Sequence, residues 1–218
     1  IKVGLVYRTG AVSPAGPFAV LDSPEFVNPF NAESDRNRPA LAQTFVENEN
    51  GAAVTVVVNH LKSKGGSCGE GDDSPEQGSC NLTRTAAAQE LADWLASDPT
   101  GSGDGDVLVI GDLNSYDRED PIVALTDAGY TDLAAELLGE FAYGYLFGAQ
   151  LGYLDYAMAS APLLPQVTGA TIWHINADEP DILNYDTSFK KDAQDALFEP
   201  NAYRSSDHDP VIVGLQLN

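Results

Sequence analysis

The sequence predicts a single α/β domain, and three observations support this fold class. The chain has 218 residues, a length that suits one large domain or two small ones. Short apolar segments typical of strands alternate with segments that have the period of amphipathic helices. Two of the apolar segments, 54–58 and 107–110, are almost continuously apolar, as strands covered on both faces of a sheet are. Stretches rich in Gly, Pro and Asp at 97–106 and 177–184 are interpreted as surface loops, so one domain is expected to span residues 1–218.

The individual elements follow from this pattern in chain order. Strands are predicted at 2–7, 42–47, 53–61, 107–111, 154–159, 168–173 and 211–217, and helices at 82–96, 121–128 and 132–138. The first helix places Leu91, Trp94 and Leu95 on one face. The second begins with Pro121, which suits a first helical turn, and Gly129 follows its last residue.

The charge of the chain limits its partners. Lys and Arg number 11 and Asp and Glu number 33, so the formal net charge at pH 7 is −22. The hydrophobic fraction of 43% is enough for a core and argues against a disordered acidic chain. Every apolar segment is far shorter than the roughly 20 residues that a helix needs to cross a bilayer, so no membrane insertion is expected. A broad positive face for nucleic acid is excluded, and phosphate chemistry would need a local source of positive charge.

Both cysteines of the chain flank one short segment. The residues between Cys68 and Cys80 are polar, acidic and rich in turn formers, which indicates a loop. A disulfide is favoured because no other thiol competes for either cysteine, and two unrelated free thiols are the alternative. A zinc site is disfavoured because no pair of histidines lies nearby. A disulfide would indicate an oxidising, extracytoplasmic environment.

Four segments share one sequence pattern: an apolar strand is followed by polar residues that are not needed to pack the core. They are 57–63, 109–114, 152–156 and 205–210. Strand ends are where α/β folds build their sites. Each segment alone has an ordinary structural interpretation: Asp112 could cap a turn, His60 could be a hydrogen-bonded core histidine, and the last segment could be an Asx turn. Together they supply two histidines, several carboxylates and an amide, and this inventory suits the hydrolysis of phosphate esters.

The same segments resemble a known protein family. The motifs, in chain order, are His60-Leu-Lys-Ser63, Gly111-Asp-Leu-Asn114, Leu154-Asp-Tyr156 and Ser206-Asp-His-Asp-Pro210. This order resembles the endonuclease/exonuclease/phosphatase superfamily, which includes pancreatic-type deoxyribonuclease. The acidic loop between the cysteines and the segment 173–179 make the chain more similar to the secreted bacterial extracellular nucleases. The resemblance implies a two-layer β-sandwich flanked by helices, a four-layer α/β/β/α fold, in a secreted bacterial protein.

The resemblance also implies catalytic roles for five residues. Asp112 would orient or deprotonate the attacking water, and Asn114 would bind the scissile phosphate. His60 would donate a hydrogen bond to a non-bridging phosphate oxygen. His208 would be the second histidine at the phosphate, with Asp155 holding its ring.

Metal and substrate contacts are implied in the same way. Asp112 and Asp207 would contribute to a site for Mg²⁺ first, and then for Mn²⁺ or Ca²⁺, because carboxylate oxygens suit hard cations. Asn59, Lys62 and Arg84, together with Asn114, are the expected substrate-binding residues.

Two departures from the family pattern affect these expectations. Family members carry an Asn and a metal-binding Glu on strands upstream of the one that 1–8 resembles, and no residues here match them. The chain therefore resembles the C-terminal part of the domain, and we expect a missing N-terminal segment of the same protein and an incomplete sandwich. In relatives a basic residue often precedes the Leu-Asp-Tyr element, whereas Gly152 and Tyr153 stand there in this chain.

The leading hypothesis is a secreted, divalent-metal-dependent nuclease that hydrolyses DNA or RNA with little sequence preference and acts as a monomer. A phosphomonoesterase or phospholipid phosphodiesterase of the same superfamily is the alternative among enzymes. A catalytically impaired fragment that only binds is the alternative outside them, and the unmatched glutamate is the feature that favours it.

Overall fold

The computed structural model describes residues 1–30, 32, 34, 36–186, 188 and 190–218. The strands of this part of the chain are β1 (Val12–Leu21), β2 (Ala40–Glu47), β3 (Ala53–His60), β4 (Val107–Asp112), β5 (Tyr130–Asp132), β6 (Tyr145–Phe147), β7 (Gln150–Gly152), β8 (Asp155–Ser160), β9 (Val167–Ile172) and β10 (Val211–Leu215). The α-helices are α1 (Pro24–Val27), α2 (Asn81–Ala96), α3 (Asp120–Asp127), α4 (Leu133–Leu138) and α5 (Asp192–Asp195). None of these helices is long and apolar enough to cross a membrane.

Six strands form the main sheet, in the order β1-β2-β3-β4-β8-β5. β3 and β4 are parallel, whereas the other neighbours in this sheet are antiparallel. β9 and β10 pair antiparallel as a second sheet, and β6 and β7 form a separate hairpin. The carboxyl ends of β3 and β4 therefore lie at the same edge of the main sheet as the start of β8.

The two faces of the main sheet are covered by different layers. On one face Val57 and Val109 pack with Leu91 of α2 and Ile122 of α3. On the other face their sequence neighbours in β3 and β4 pack with the second sheet, in a cluster that contains Val54, Val56, Leu108, Ile110, Val167, Val211 and Val213. Successive side chains of a strand point to opposite faces, so continuously apolar strands are needed here. This arrangement confirms the predicted α/β sandwich flanked by helices.

The first predicted strand is wrong. Residues 2–7 form no strand within the described part of the chain, and the side chain of Val6 is fully exposed, although the ring of Tyr7 packs against that of Phe45 with 5.1 Å between centroids. The strand lies further along, at β1, where Pro14 and Pro17 argue against it at the sequence level. β1 is at the edge of the sheet, where a missing N–H removes no ladder hydrogen bond, and its pairing with β2 is irregular between Ala15 and Ala19.

The predicted disulfide is confirmed, because Cys68 and Cys80 are bonded to each other. One carboxylate oxygen of Asp73 accepts the backbone N–H groups of both cysteines, at 3.0 and 2.8 Å. Asp72 accepts hydrogen bonds from the backbone N–H and the hydroxyl of Thr83 in the first turn of α2. The acidic loop is therefore attached to the helix that covers the main sheet.

Candidate active site

Three side chains of the predicted site lie in one row across the main sheet. His60 ends β3 and is paired in register with Asp112 at the end of β4, which is paired in turn with Asp155 at the start of β8. Directly paired residues on neighbouring strands point to the same face of a sheet. His60 Nε2 lies 3.6 Å from Asp112 Oδ2, and the three side chains are between 17% and 27% exposed. The row is therefore close-packed and open to solvent.

His208 joins this row from the second sheet, just before β10. Its Nδ1 lies 2.5 Å from Oδ2 of Asp155. On its other side the ring of Tyr145, in the β6–β7 hairpin, packs against the imidazole with 4.5 Å between ring centroids. A backbone bridge also pairs Tyr145 with His208. The imidazole is thus held by the main sheet and by the hairpin together.

The turn after β4 fixes the carboxylate of Asp112. The backbone N–H and the side-chain amide of Asn114 donate to its two oxygens, at 2.8 and 2.9 Å. Asn114 has a left-handed backbone, with φ of 50°, which asparagine tolerates better than most residues. Gly111 also has a positive φ, and a Cβ at this position would lie 2.1 Å from the carbonyl oxygen of Asn59. Only glycine allows β3 and β4 to approach this closely beside Asp112.

Burial and the neighbouring charges set different protonation states in the row. Burial, and next the negative charge of Asp155, raise the pKa of Asp112 to about 6. Burial alone would lower the pKa of His208, but the hydrogen bond and charge of Asp155, with the charge of Asp112, raise it to about 9. Burial and then the Arg38 guanidinium lower the pKa of His60. At neutral pH His208 is therefore an imidazolium and His60 is a neutral imidazole.

The donors in this row fit a hard divalent cation. One atom each from Asp112, Asp155 and His208 lie within 4.8 Å of one another. The two carboxylates repel each other, and Mg²⁺ is usually held by one or two carboxylates and completed by water and substrate phosphates. Since Nδ1 of His208 is hydrogen-bonded to Asp155, the carboxylates of Asp112 and Asp155 would be the metal donors of the group. Within the described residues no glutamate belongs to this cluster.

Comparison with known families decides the class of the site. A family model described as the endonuclease/exonuclease/phosphatase family matches residues 3–208. The chain belongs to this family. Its members are hydrolases that act on phosphoester bonds, and divalent metals are general among them. No curated protein matches the chain significantly.

Solved structures with the same fold differ widely from this chain in sequence. An endonuclease/exonuclease/phosphatase from Bacteroides vulgatus has 16% identity and a TM-score of 0.59, over 97% of this chain and 69% of that one. D. rerio TDP2 complexed with single strand DNA product has 16% identity and a TM-score of 0.53, over 94% and 68%. The human nocturnin catalytic domain with bound sulfate has 16% identity and a TM-score of 0.50, over 76% and 52%. At these identities the likeness shows the fold, and the chain spans about half of the nocturnin domain.

Two of the residues expected to bind substrate, Arg84 and Asn59, are buried in this structure. Arg84 is 0% exposed, and its guanidinium donates to the carbonyl oxygens of Lys62 and Ser79 and to the hydroxyl of Ser115. Asn59 is 1% exposed, because strand alternation turns its side chain to the helix-covered face, opposite to His60. Both side chains lie behind the row in this structure, and a role of either in substrate binding stays a prediction.

The roles implied for Asn114, Asp207 and Lys62 stay predictions, and the structure adds a contact of Asn114 with Asp112. Asn114 uses its side-chain N–H groups on Asp112 and on the carbonyl oxygen of Leu61, so it positions the carboxylate, and its contact with the scissile phosphate stays a prediction. Asp207 is exposed and lies outside the close cluster, although its charge contributes to the raised pKa of His208. Lys62 is half-buried, and its ammonium donates to the carbonyl oxygens of Ser63 and Gly65.

Sequence reasoning missed three residues that border the row. Tyr145 carries no motif, and its contact with His208 depends on a hairpin that the alternation of apolar residues does not reveal. Arg36 and Arg38 come from the segment before β2 and lie in a cleft with Lys62. The only sequence feature that could have pointed to Arg36 and Arg38 is that both lie just before Pro39 in a chain with few basic residues.

Proposed function

We propose that this protein is a divalent-metal-dependent phosphodiesterase that cleaves nucleic acid strands outside the cytoplasm. One observation carries the proposal. Asp112 lies between a neutral histidine, His60, and the charged His208–Asp155 pair, in a row that is open to solvent. A base flanked by a hydrogen-bond donor and a fixed positive charge is what attack of water on a phosphodiester needs.

Asp112 accepts the proton of the attacking water in this mechanism. In the metal-free protein a pKa of about 6 leaves the carboxylate ionised at neutral pH and makes it a stronger base than an ordinary aspartate. Asn114 holds both oxygens of the carboxylate, so the base does not have to be oriented when the substrate binds.

The two histidines act on the phosphate oxygens. His208, kept protonated by Asp155, places a positive charge where negative charge develops in the transition state. His60 is neutral and donates one N–H to a non-bridging oxygen. A divalent cation, when bound by Asp112 and Asp155, supplies further charge to these oxygens.

Three observations favour a nucleic acid substrate and an extracytoplasmic location. Three cations, Arg36, Arg38 and Lys62, line a cleft beside the row, although the net charge of the protein is −22. TDP2, which has this fold, has been solved with a single strand DNA product. The disulfide between Cys68 and Cys80 suits an oxidising compartment.

Digestion of plasmid DNA and of a single-stranded oligonucleotide tests the proposal. We expect cleavage with Mg²⁺ or Mn²⁺, no cleavage with EDTA, and a loss of kcat of roughly 10³-fold in Asp112→Asn and 10²-fold in His208→Gln. His174→Gln is the matched control, because His174 also pairs with an aspartate, Asp209, at 3.0 Å but stacks on Tyr143 outside the row. The control should keep its activity within about threefold.

The same assays decide among the alternatives. Cleavage in EDTA, or full activity of Asp112→Asn, would contradict the mechanism. If small phosphate monoesters are hydrolysed faster than DNA, the protein is a phosphomonoesterase. If phospholipid is hydrolysed faster than DNA, the protein is a phospholipid phosphodiesterase. If calorimetry detects no binding of Mg²⁺ or Mn²⁺ and no substrate turns over, the chain is a binding fragment.

A further inference from the structure

Two buried polar side chains, Asn176 and Asp209, surround the backbone of His208. Asn176 lies in the turn after β9 and is 5% exposed, and Asp209 directly follows His208 and is 1% exposed. Every nitrogen and oxygen of these two side chains is hydrogen-bonded. Burial of a polar group costs free energy unless it is hydrogen-bonded, so a network of this kind fixes the backbone to which it is bonded.

The carboxylate of Asp209 holds the turn after β9. Its Oδ1 accepts three consecutive backbone N–H groups, those of Ile175, Asn176 and Ala177, at 3.1, 2.8 and 2.9 Å. Its other oxygen lies 3.0 Å from Nδ1 of His174. Hydrogen bonds to an ionised acceptor are stronger than neutral ones, so three of them fix the turn to Asp209 even without His174.

Asn176 connects this turn to His208. Its amide nitrogen donates to the carbonyl oxygen of His208 at 2.7 Å, and its amide oxygen accepts the backbone N–H of Ser205 at 3.1 Å. On the other side of the same peptide bond, the N–H of Asp209 donates to the carbonyl oxygen of Gly144 at 2.8 Å. Both polar atoms of the peptide bond after His208 are therefore held, one by the turn after β9 and the other by the residue before β6.

These bonds determine the direction of the imidazole. A peptide unit is planar, so when its C=O and its N–H are both held, the plane cannot rotate and the backbone of His208 is fixed. From this backbone Nδ1 of His208 reaches Oδ2 of Asp155 in the main sheet at 2.5 Å. A hydrogen bond weakens steeply when its donor and acceptor are misaligned, and a misplaced group at the reacting atoms lowers the rate.

We propose that Asn176 is a positioning residue for His208, which acts through the carbonyl group of His208 and is itself held in place by Asp209. This inference rests on the proposed function and deepens it, because His208 supplies the positive charge at the phosphate. It also gives a reason for the aspartate that follows His208. Every hydrogen bond that the Asp209 carboxylate forms in the described part of the chain goes to residues 174–177.

A double-mutant cycle with His208→Gln tests the proposal on a single-stranded oligonucleotide with Mg²⁺. In the wild type, Asn176→Ala should lower kcat roughly tenfold and leave KM within about twofold. In the His208→Gln background the same change should alter kcat less than about twofold, because the group that Asn176 positions is gone. A merely structural role would lower kcat by the same factor in both backgrounds.

Asn37→Ala is the matched control. Asn37 is 3% exposed, its amide donates to the carbonyl oxygen of Phe26 at 2.7 Å, and its oxygen accepts the backbone N–H of Lys62 at 2.8 Å. Both alanine variants lose the same kinds of bond, so their urea midpoints should fall by similar amounts. Any effect of Asn37→Ala on kcat should be the same factor in both backgrounds. Asn176→Ser replaces the alanine variant if circular dichroism shows that the latter does not fold.

Proton NMR of the metal-free protein gives a readout that does not depend on activity. The signal of the imidazole N–H that is bonded to Asp155 is identified by its loss in His208→Gln. Asn176→Ala should shift or broaden this signal, and Asn37→Ala should leave it unchanged.

The outcomes separate this inference from the proposed function. Equal losses of kcat in the two backgrounds, or no loss in the wild type, would overturn the positioning role of Asn176. If the wild type hydrolyses no phosphodiester, the proposed function fails and the NMR comparison decides alone. A signal that Asn176→Ala shifts would then support the positioning role, and an unchanged signal would overturn it.

Discussion

Asp155 of β8 and His208 of the segment before β10 are joined by a 2.5 Å hydrogen bond that connects the main sheet to the second sheet. This bond does two things at once. It holds the imidazole over the row, and it keeps the ring protonated at neutral pH, since Asp155 is the main cause that raises the pKa of His208 to about 9.

Asp155→Asn should therefore lower the pKa of His208. A neutral amide removes both the charge and the ionic hydrogen bond, so we expect a fall of at least about one unit, measured by NMR titration of the imidazole. Activity above pH 7 should fall with it. An unchanged titration curve would show that Asp155 is not the group that holds the proton on His208.

His208→Gln should reveal a stability difference that depends on pH. The pKa of His208 is raised from 6.5 to about 9 in the folded protein, so its stabilising effect is complete below pH 6.5 and is lost as pH rises through 9. We expect the wild type to exceed the variant by up to about 3 kcal/mol more at pH 6.5 than at pH 10. Urea unfolding in EDTA at both pH values measures this, and a constant difference would refute it.

Asp112→Asn should stabilise the metal-free protein although it strongly lowers kcat. The pKa of Asp112 is raised from 3.8 to about 6, so the carboxylate favours the folded state when protonated, and this contribution is lost as pH rises from 4 to 6. We expect a gain of about 1–2 kcal/mol at pH 7.5, after the change in its bonds with Asn114, and a smaller one at pH 4. Added Mg²⁺ should raise the melting temperature of the wild type and leave that of the variant unchanged.

Gly111→Ala should be strongly destabilising. A Cβ would meet the carbonyl oxygen of Asn59 at 2.1 Å, so β3 and β4 would have to separate beside Asp112. We expect a loss of more than about 3 kcal/mol in urea unfolding. Gly129→Ala is the matched control: it also has a positive φ, 97°, but nothing lies within 4 Å, so it should lose only about 1 kcal/mol. Equal losses would mean that backbone strain alone accounts for the effect.

Periodicity was sufficient for the strands whose apolar runs reflect burial. β3 and β4 are covered on both faces, so their sequences are almost continuously apolar and predict strands. The two strands are parallel neighbours in the sheet, and this pairing aligns His60 with Asp112. β1 was missed because an edge strand tolerates Pro14 and Pro17. The short strand β6, Tyr145–Phe147, was missed because its side chains are half-buried or exposed and leave no apolar pattern.

The candidate site was predicted where motif residues end strands. The row of His60, Asp112 and Asp155 lies at strand ends, as predicted. The disulfide was predicted from the two cysteines that flank one loop. The role of Arg84 was not predictable, because a charged side chain is usually on the surface and its burial depends on carbonyl groups that only the folded loop brings together. Arg38 was missed for the opposite reason: its neighbours in space are remote in sequence.

The position of His208 next to the second sheet affects how the protein would lose activity on heating. His208 lies next to β10 of the second sheet. This sheet packs on β3, β4 and β8 through apolar side chains such as Leu108, Ala157 and Val213. A slight opening between the sheets would break the bond to Asp155 without melting any strand. On heating, activity should then be lost before secondary structure. The temperature at which activity is lost would report how tightly the main sheet and the second sheet pack together.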